Sequence, residues 1–209
     1  MNQTFQNELS KVESTFPDLS IRHINGKDIL KGILDIHDEN SAVAGSFSIE
    51  IHPTEEFPYR FPKLFEVGGD IPCSDDWHKY ADNSCCITVQ QDEIIKCHNR
   101  ITLLNFIANE AIPYFANQLY RRRNGHYLNE YPHGIDGVRL FYMELFKSND
   151  PRFWLLCFEH AFENIHLSRN EKCYCNNGKK YKKCHMLVEE KLQIIGKQQV
   201  LYDINLIIK

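Results

Sequence analysis

Phe57-Pro58-Tyr59-Arg60-Phe61-Pro62-Lys63-Leu64-Phe65-Glu66-Val67 breaks one kind of pattern and starts another. The prolines punctuate FPYRFP into a turn, and KLFEV after it reads as a short strand. Upstream, Ile29–His52 holds two β-rich runs, ILKGILDIH and VAGSFSIEIH, separated by the polar turn DENSA. Phe47, Ile49 and Ile51 alternate with the period of a half-buried strand, so the pair reads as a hairpin. Before it, Phe5, Leu9 and Val12 mark a helix over residues 3–14 that stops at Pro17.

Downstream, residues 68–98 carry few apolar positions and read as one long irregular stretch, of the kind that is functional or disordered. Helical spacing returns at Ile101 through Leu104, Ile107, Ala111 and Phe115, with a kink expected at Pro113. RRRNGHYLNEYPHG is a polar break in which Glu130, His133 and Asp136 order a loop, and Arg121-Arg122-Arg123 closes the preceding helix with favourable charge at its C-terminus. IDGVRLFYMELF and RFWLLCFEHAFENIHL are two further helices, the second entered through Asn149-Asp150-Pro151. Strands grouped together and followed by helices give an α+β fold.

The chain of 209 residues has a formal charge of −4, 43% hydrophobic and 25% charged residues, the composition of a globular protein with a real core. That mild charge does not suggest a nucleic-acid platform. MNQTFQNELSKVESTF lacks the features of a signal peptide, and no segment carries 18 uninterrupted apolar residues, so the expectation is a cytoplasmic protein with no membrane partner. In a reducing compartment its eight cysteines are reduced, metal-bound or catalytic rather than paired.

Phe57–Val67, followed by His78-Lys79-Tyr80-Ala81-Asp82-Asn83-Ser84-Cys85-Cys86-Ile87, resembles the ubiquitin-conjugating-enzyme family. Its signature is an aromatic-Pro-Phe-x-x-Pro-Lys turn leaving the sheet, then a histidine, a short loop and a Cys-Leu pair. Pro58, Pro62 and Lys63 match the turn, Gly45-Ser46-Phe47 matches a glycine-x-phenylalanine strand, and Cys86-Ile87 falls on the Cys-Leu pair. The resemblance covers about residues 1–150 and is strong over 45–88. His78-x-Tyr80-x-Asp82-x-Ser84-x-Cys86 and Glu130-Tyr131-Pro132-His133-Gly134 further resemble the bacterial members found in antiphage (CBASS) operons beside a cGAS-like nucleotidyltransferase.

That resemblance implies a thioester at Cys86 with the C-terminus of the nucleotidyltransferase, then ligation to an amine-bearing target protein. A thiolate suits the task chemically, being both a good nucleophile and a good leaving group. Most members carry His-Pro-Asn, whose asparagine supports the ligation site, where this chain has His78-Lys79-Tyr80. Losing an oxyanion donor costs roughly two to three orders of magnitude in rate, so Tyr80 or Asn83 must substitute, with His78 supporting the loop. Cys85 and Cys157 read as small buried hydrophobes. A metal site gathering Cys73, Cys85, Cys86, Cys97 and His98 fits poorly, because no C-x-x-C pair is present there. The rival reading is a non-catalytic adaptor that uses the same fold to dock partner proteins.

After Leu167 the composition turns charged and small. Cys173-Tyr174-Cys175-Asn176-Asn177-Gly178-Lys179-Lys180-Tyr181-Lys182-Lys183-Cys184-His185 resembles the SEC-C motif, with Cys173, Cys175, Cys184 and His185 on its four ligand positions. Three thiolates and one imidazole suit one structural Zn²⁺ per chain, which would supply the folding free energy of so small a module. Lys172, Lys179, Lys180, Lys182 and Lys183 partly offset the thiolate charge. The expected domains are a conjugating-like domain at 1–150, a helical extension at 151–168 and the zinc module with a terminal amphipathic segment at 169–209.

Overall fold

A computed structural model describes residues 2–128, 132–163, 165 and 167–208. The chain separates into two compact units, residues 1–88 with 96–130, and residues 89–95 with 131–209.

The first unit opens with α1, Gln3–Thr15, whose N-terminus is capped by the Asn2 side chain accepting from the Phe5 amide. Phe5, Leu9 and Val12 fall on one helical face and are buried. Four strands follow: β1 Leu19–Ile24, β2 Lys27–His37, β3 Val43–His52 and β4 Lys63–Glu66. They form an antiparallel sheet in sequence order. Strand β1, absent from the sequence reading, is joined to β2 by Asn25-Gly26, both at positive φ (50° and 75°), the backbone that a two-residue hairpin demands. Gly32 on β2 must lack a side chain, because a Cβ there would lie 1.9 Å from the Asp18 carbonyl oxygen.

One sheet face carries Leu30, Leu34, Phe47, Ile49, Ile51 and Leu64 into a core shared with α1 and a long helical run. That run comprises α3 Leu103–Phe106, a π-helical turn Ile107–Ala111 and α4 Ile112–Asn124. The run continues helical through Pro113, where the kink was expected. The wide turn ends just before it, so the proline sits in the first turn of α4, where no amide hydrogen is required. The Phe57–Val67 stretch lies against this core. Phe57 meets Phe5 edge-on and Phe61 meets Phe106, while Tyr59 stays exposed. Asn2 Nδ2 donates to the Thr54 and Phe57 carbonyls, tying the turn to the start of α1.

Residues 68–98 are not irregular throughout. They contain α2, Gln90–Cys97, and the division between the units falls inside it. Acidic Asp92 and Glu93 in its first turn and Lys96 in its last match the helix dipole.

The second unit is helical, with α5 Gly134–Phe146, α6 Pro151–Phe162, α7 Met186–Ile195 and α8 Lys197–Ile208. Asp150 caps α6 by accepting from the Arg152 amide. The domain limits drawn at 150 and 168 are corrected here. The apolar faces of α5 and α6, with Phe141, Tyr142, Phe146, Trp154 and Cys157, share one core with Leu192, Ile195, Val200 and Ile204 of α7 and α8. A composition shift near 168 marked a surface hairpin, not a boundary. Among the described residues no helix is long and apolar enough to cross a membrane.

Candidate functional site

The loop carrying Cys85 and Cys86 is pinned to the sheet. The Cys85 amide donates to the Leu64 carbonyl of β4 (2.8 Å), and the Cys86 amide donates to the His78 carbonyl (2.8 Å). Isolated bridges pair Phe65 with Ser84 and Lys79 with Cys85. Inside the loop, Asp82 accepts from the Ser84 amide (3.0 Å) and hydroxyl (2.5 Å), and forms an ion pair with Lys63 at 2.5 Å. Those partners, Lys63 first, hold the Asp82 carboxyl at about 2. Asp82 is thus a loop fastener engaged with a cation.

The two neighbouring thiols face different surroundings. Cys85 is buried, and desolvation pushes its thiol up to about 11, with the neighbouring Tyr114 side chain acting in the opposite direction. Cys86 is only partly buried. Burial raises its pKa first, Asp75 adds to that, and a hydrogen bond with the Tyr80 side chain works in the opposite direction. Tyr80 is half exposed. Asn83 is exposed and left-handed (φ 68°), a backbone that asparagine tolerates better than most residues. His78 is also left-handed (φ 51°); its ring packs edge-on against Tyr127, and a ring nitrogen lies within 4.8 Å of Cys86 Sγ.

Several contributors to this loop carry no sequence signal. Tyr114 on α4 donates its hydroxyl to the His78 carbonyl (2.9 Å), and Gln118 donates to the Trp77 carbonyl (3.0 Å). Tyr127 donates to Gln118 Oε1 (3.1 Å). Arg121 stacks over Trp77 and Tyr127 at 4.1 and 4.7 Å, so this arginine does more than close its helix. Lys79, in the place where a proline was expected, is buried against Glu66 with Nζ 3.6 Å from Oε2.

Cys73, Cys85, Cys97 and His98 are not brought together in any group that could hold a metal ion among the described residues. Cys173, Cys175, Cys184 and His185 are. Their ligand atoms all lie within 4.8 Å of one another. His185 Nδ1 stands 3.2 Å from Cys173 Sγ and 3.1 Å from Cys184 Sγ, and the Sγ atoms of Cys175 and Cys184 are 3.5 Å apart. Tetrahedral ligation with metal–sulfur bonds near 2.3 Å puts sulfurs about 3.8 Å apart, so the four atoms already approximate a coordination shell.

The local fold that gathers them is a tight hairpin. The Cys173 amide donates to the Lys179 carbonyl (2.9 Å), and Lys172 pairs with Lys180. Asn176 and Gly178 take positive φ (57° and 79°) at the reversal. The Tyr181 hydroxyl hydrogen-bonds Glu189 on α7. Residues 169–187 match the SEC-C motif. No curated protein and no solved structure matches the chain.

The surroundings of the SEC-C cluster suit a cation. Asn177 Nδ2 donates to Cys184 Sγ (3.0 Å). Burial, then the neighbouring Cys175 thiol, push Cys184 up to about 11, the mutual penalty that a bound cation removes. Burial lowers the pKa of His185, favouring the neutral ring that ligates metals, while the Phe146 backbone acts in the opposite direction. Phe153 and Tyr174 wall the imidazole at centroid distances of 5.1 and 5.3 Å. Four side chains each offer one ligand atom, the number that a four-coordinate ion takes. Neither Phe146 nor Phe153 could be assigned to this centre from the motif, since both lie outside it.

Proposed function

We propose that this chain is a ubiquitin-conjugating-like acyl carrier. In this reading the sheet unit has the ubiquitin-conjugating fold. Cys86 takes the C-terminal acyl group of a partner protein as a thioester and passes it to an amine. The observation that carries the reading is the contrast within the loop: Cys85 is buried, while its neighbour Cys86 is only partly buried. The antiparallel meander that leads into the loop, with Phe57, Phe61 and Lys63 at its turn, supports it as well.

The chemistry is transthioesterification followed by aminolysis. Cys86 Sγ as thiolate attacks an activated acyl carbon and the activating group leaves. A neutral amine then attacks the thioester carbonyl, the Cys86 thiolate departs, and the amine loses a proton to solvent or to a base. By the resemblance, Tyr80 and Asn83 stand in as the donors that serve the oxyanion, and His78 orders the loop. By resemblance, the partner is a cGAS-like nucleotidyltransferase, the setting is CBASS antiphage signalling in the cytoplasm, and the acceptor is an amine-bearing protein. The metal at the SEC-C cluster is Zn²⁺, by the softness and number of its ligands.

The test is co-expression of the nucleotidyltransferase with the wild-type chain, Cys86→Ser, Cys86→Ala and Cys85→Ala, followed by mass spectrometry. A thiol-sensitive adduct on the wild type and on Cys85→Ala, an ester-stable one on Cys86→Ser and none on Cys86→Ala are expected. Absence of any adduct under activating conditions overturns the acyl-carrier reading. The raised pKa of Cys86 favours a second reading, a non-catalytic adaptor that docks partners through the same fold, and that outcome would select it.

A further inference from the structure

Two successive carbonyls of the loop before Cys86 are held from one helix. The Trp77 carbonyl accepts from Gln118 Nε2 (3.0 Å) and the His78 carbonyl from the Tyr114 hydroxyl (2.9 Å). Tyr114 and Gln118 stand one helical turn apart on the same face of α4, and both are buried (8% and 1% exposed). Tyr127, also buried, donates to Gln118 Oε1 (3.1 Å) and so fixes which way that amide points. The acceptor side is unusual backbone. His78 is left-handed (φ 51°, ψ 48°), a conformation that sets its own carbonyl and the one before it on the same side. Such a conformation is costly for any residue with a Cβ and persists only where the surroundings over-determine it.

The His78 carbonyl has a second partner. The Cys86 amide donates to the same oxygen (2.8 Å), so a single atom joins α4 to the backbone of Cys86. Tyr114, His78 and Cys86 all belong to the sheet unit. We propose that Tyr114 is a positioning residue for Cys86: from α4, together with Gln118, it holds the left-handed turn at His78, and that turn holds the backbone from which the thiol projects. Tyr80 and Asp75 are the side chains that shift the Cys86 thiol, whereas Tyr114 acts through the backbone beneath it. The consequence for transfer rests on the acyl-carrier reading, but the placement of the thiol does not. A directional hydrogen bond suits this task, because it fixes the orientation of a peptide group that packing alone leaves free to turn.

Purified full-length protein is read in two ways that need no conjugation partner. Amide hydrogen exchange resolved by NMR reports the Cys86 amide itself, with the amides of β2 and β3 as the gauge of overall stability. Iodoacetamide labelling of Cys86, resolved by peptide mass spectrometry and carried to the high-pH plateau where the thiol is fully ionised, reports placement of the sulfur free of its pKa. Tyr114→Phe removes the hydroxyl and keeps the ring. Adding His78→Asn supplies a residue that tolerates the left-handed conformation better. Failure of these readouts strikes the positioning role alone, and failure of the co-expression test strikes the acyl-carrier reading alone.

In the wild type, the Cys86 amide is expected to be protected as strongly as the amides that pair β3 with β4. Tyr114→Phe is expected to speed its exchange roughly five- to tenfold, as for the loss of one hydrogen bond, and to speed plateau labelling severalfold, with the β2 and β3 amides unmoved. Tyr114→Phe with His78→Asn should recover part of both. A wild-type Cys86 amide that exchanges like an open loop overturns the proposal without any variant. So does a folded Tyr114→Phe protein whose Cys86 exchange or labelling is unchanged, one whose exchange rises equally across β2 and β3, or a double variant with no recovery. Should Tyr114→Phe not fold, Gln118→Met, which removes the donor to Trp77, is read against the same outcomes.

Discussion

Lys79 Nζ lies 3.6 Å from Glu66 Oε2, and both side chains are closed to solvent. The ammonium also donates to the Glu66 and Ile71 carbonyls, and Glu66 accepts from the Asp70 and Ile71 amides. The pair therefore stitches the loop before Cys86 to the end of β4. Removing one partner leaves the other charge uncompensated. Lys79→Met is expected to destabilise the sheet unit by about 3–5 kcal/mol, and Lys79→Met with Glu66→Gln to recover part of that, as read from thermal or urea unfolding.

Tyr80→Phe removes the hydroxyl that draws the Cys86 pKa down. The thiol pKa should rise, so less thiolate is present at neutral pH. The midpoint of the alkylation-rate profile at Cys86 is expected to move to higher pH, with the rate at pH 7 falling roughly tenfold, as for loss of a hydrogen bond to a charged group. An unmoved midpoint would remove Tyr80 from the site.

Asp82 provides the acid-side pH dependence. Its folded pKa of about 2 lies below the ordinary value of 3.8, so its contribution to stability is fully present above about pH 4 and is lost as pH falls toward 2. Both members of the Lys63–Asp82 pair are about half exposed, and screening holds the contribution to about 1 kcal/mol or less. The difference in stability between wild type and Asp82→Asn should therefore shrink between pH 4 and pH 2 and diminish in high salt.

Elemental analysis of protein with reduced thiols is expected to give about one zinc per chain. Chelation should lower the melting temperature, and added zinc should raise it again, stabilising the fold by about 1.4 kcal/mol for each tenfold excess over the dissociation constant. Cys175→Ser should abolish stoichiometric zinc while leaving the circular-dichroism signature of the sheet unit in place.

Much of the fold was legible because periodicity survives in one dimension. Phe5-Leu9-Val12 and Phe47-Ile49-Ile51 announced a buried helix face and a half-buried strand, and both are buried so. Strand β1 escaped because the alternation of LSIRHI lasts only four residues, Leu19 to Arg22, before His23 breaks it, and its Asn25-Gly26 turn was the signal that could have found it. Helix α2 hid in a stretch whose few apolar residues, Ile94, Ile95 and Cys97, do not mark a clear stripe. The domain limits failed because composition reports solvent exposure, whereas a domain is set by which apolar faces meet.

The sequence by itself determined the cysteine-histidine cluster, because Cys173, Cys175, Cys184 and His185 are held by a turn whose geometry is local. It also determined the α+β order of elements, through the periods of their apolar residues. Only the tertiary structure decided the rest. It decided how far Cys86 is covered, that Lys79 finds Glu66, and that Gln91 finds Asp203 across more than half the chain. Such pairings depend on how buried faces stack, and a buried polar group has to find its partner wherever the packing puts it.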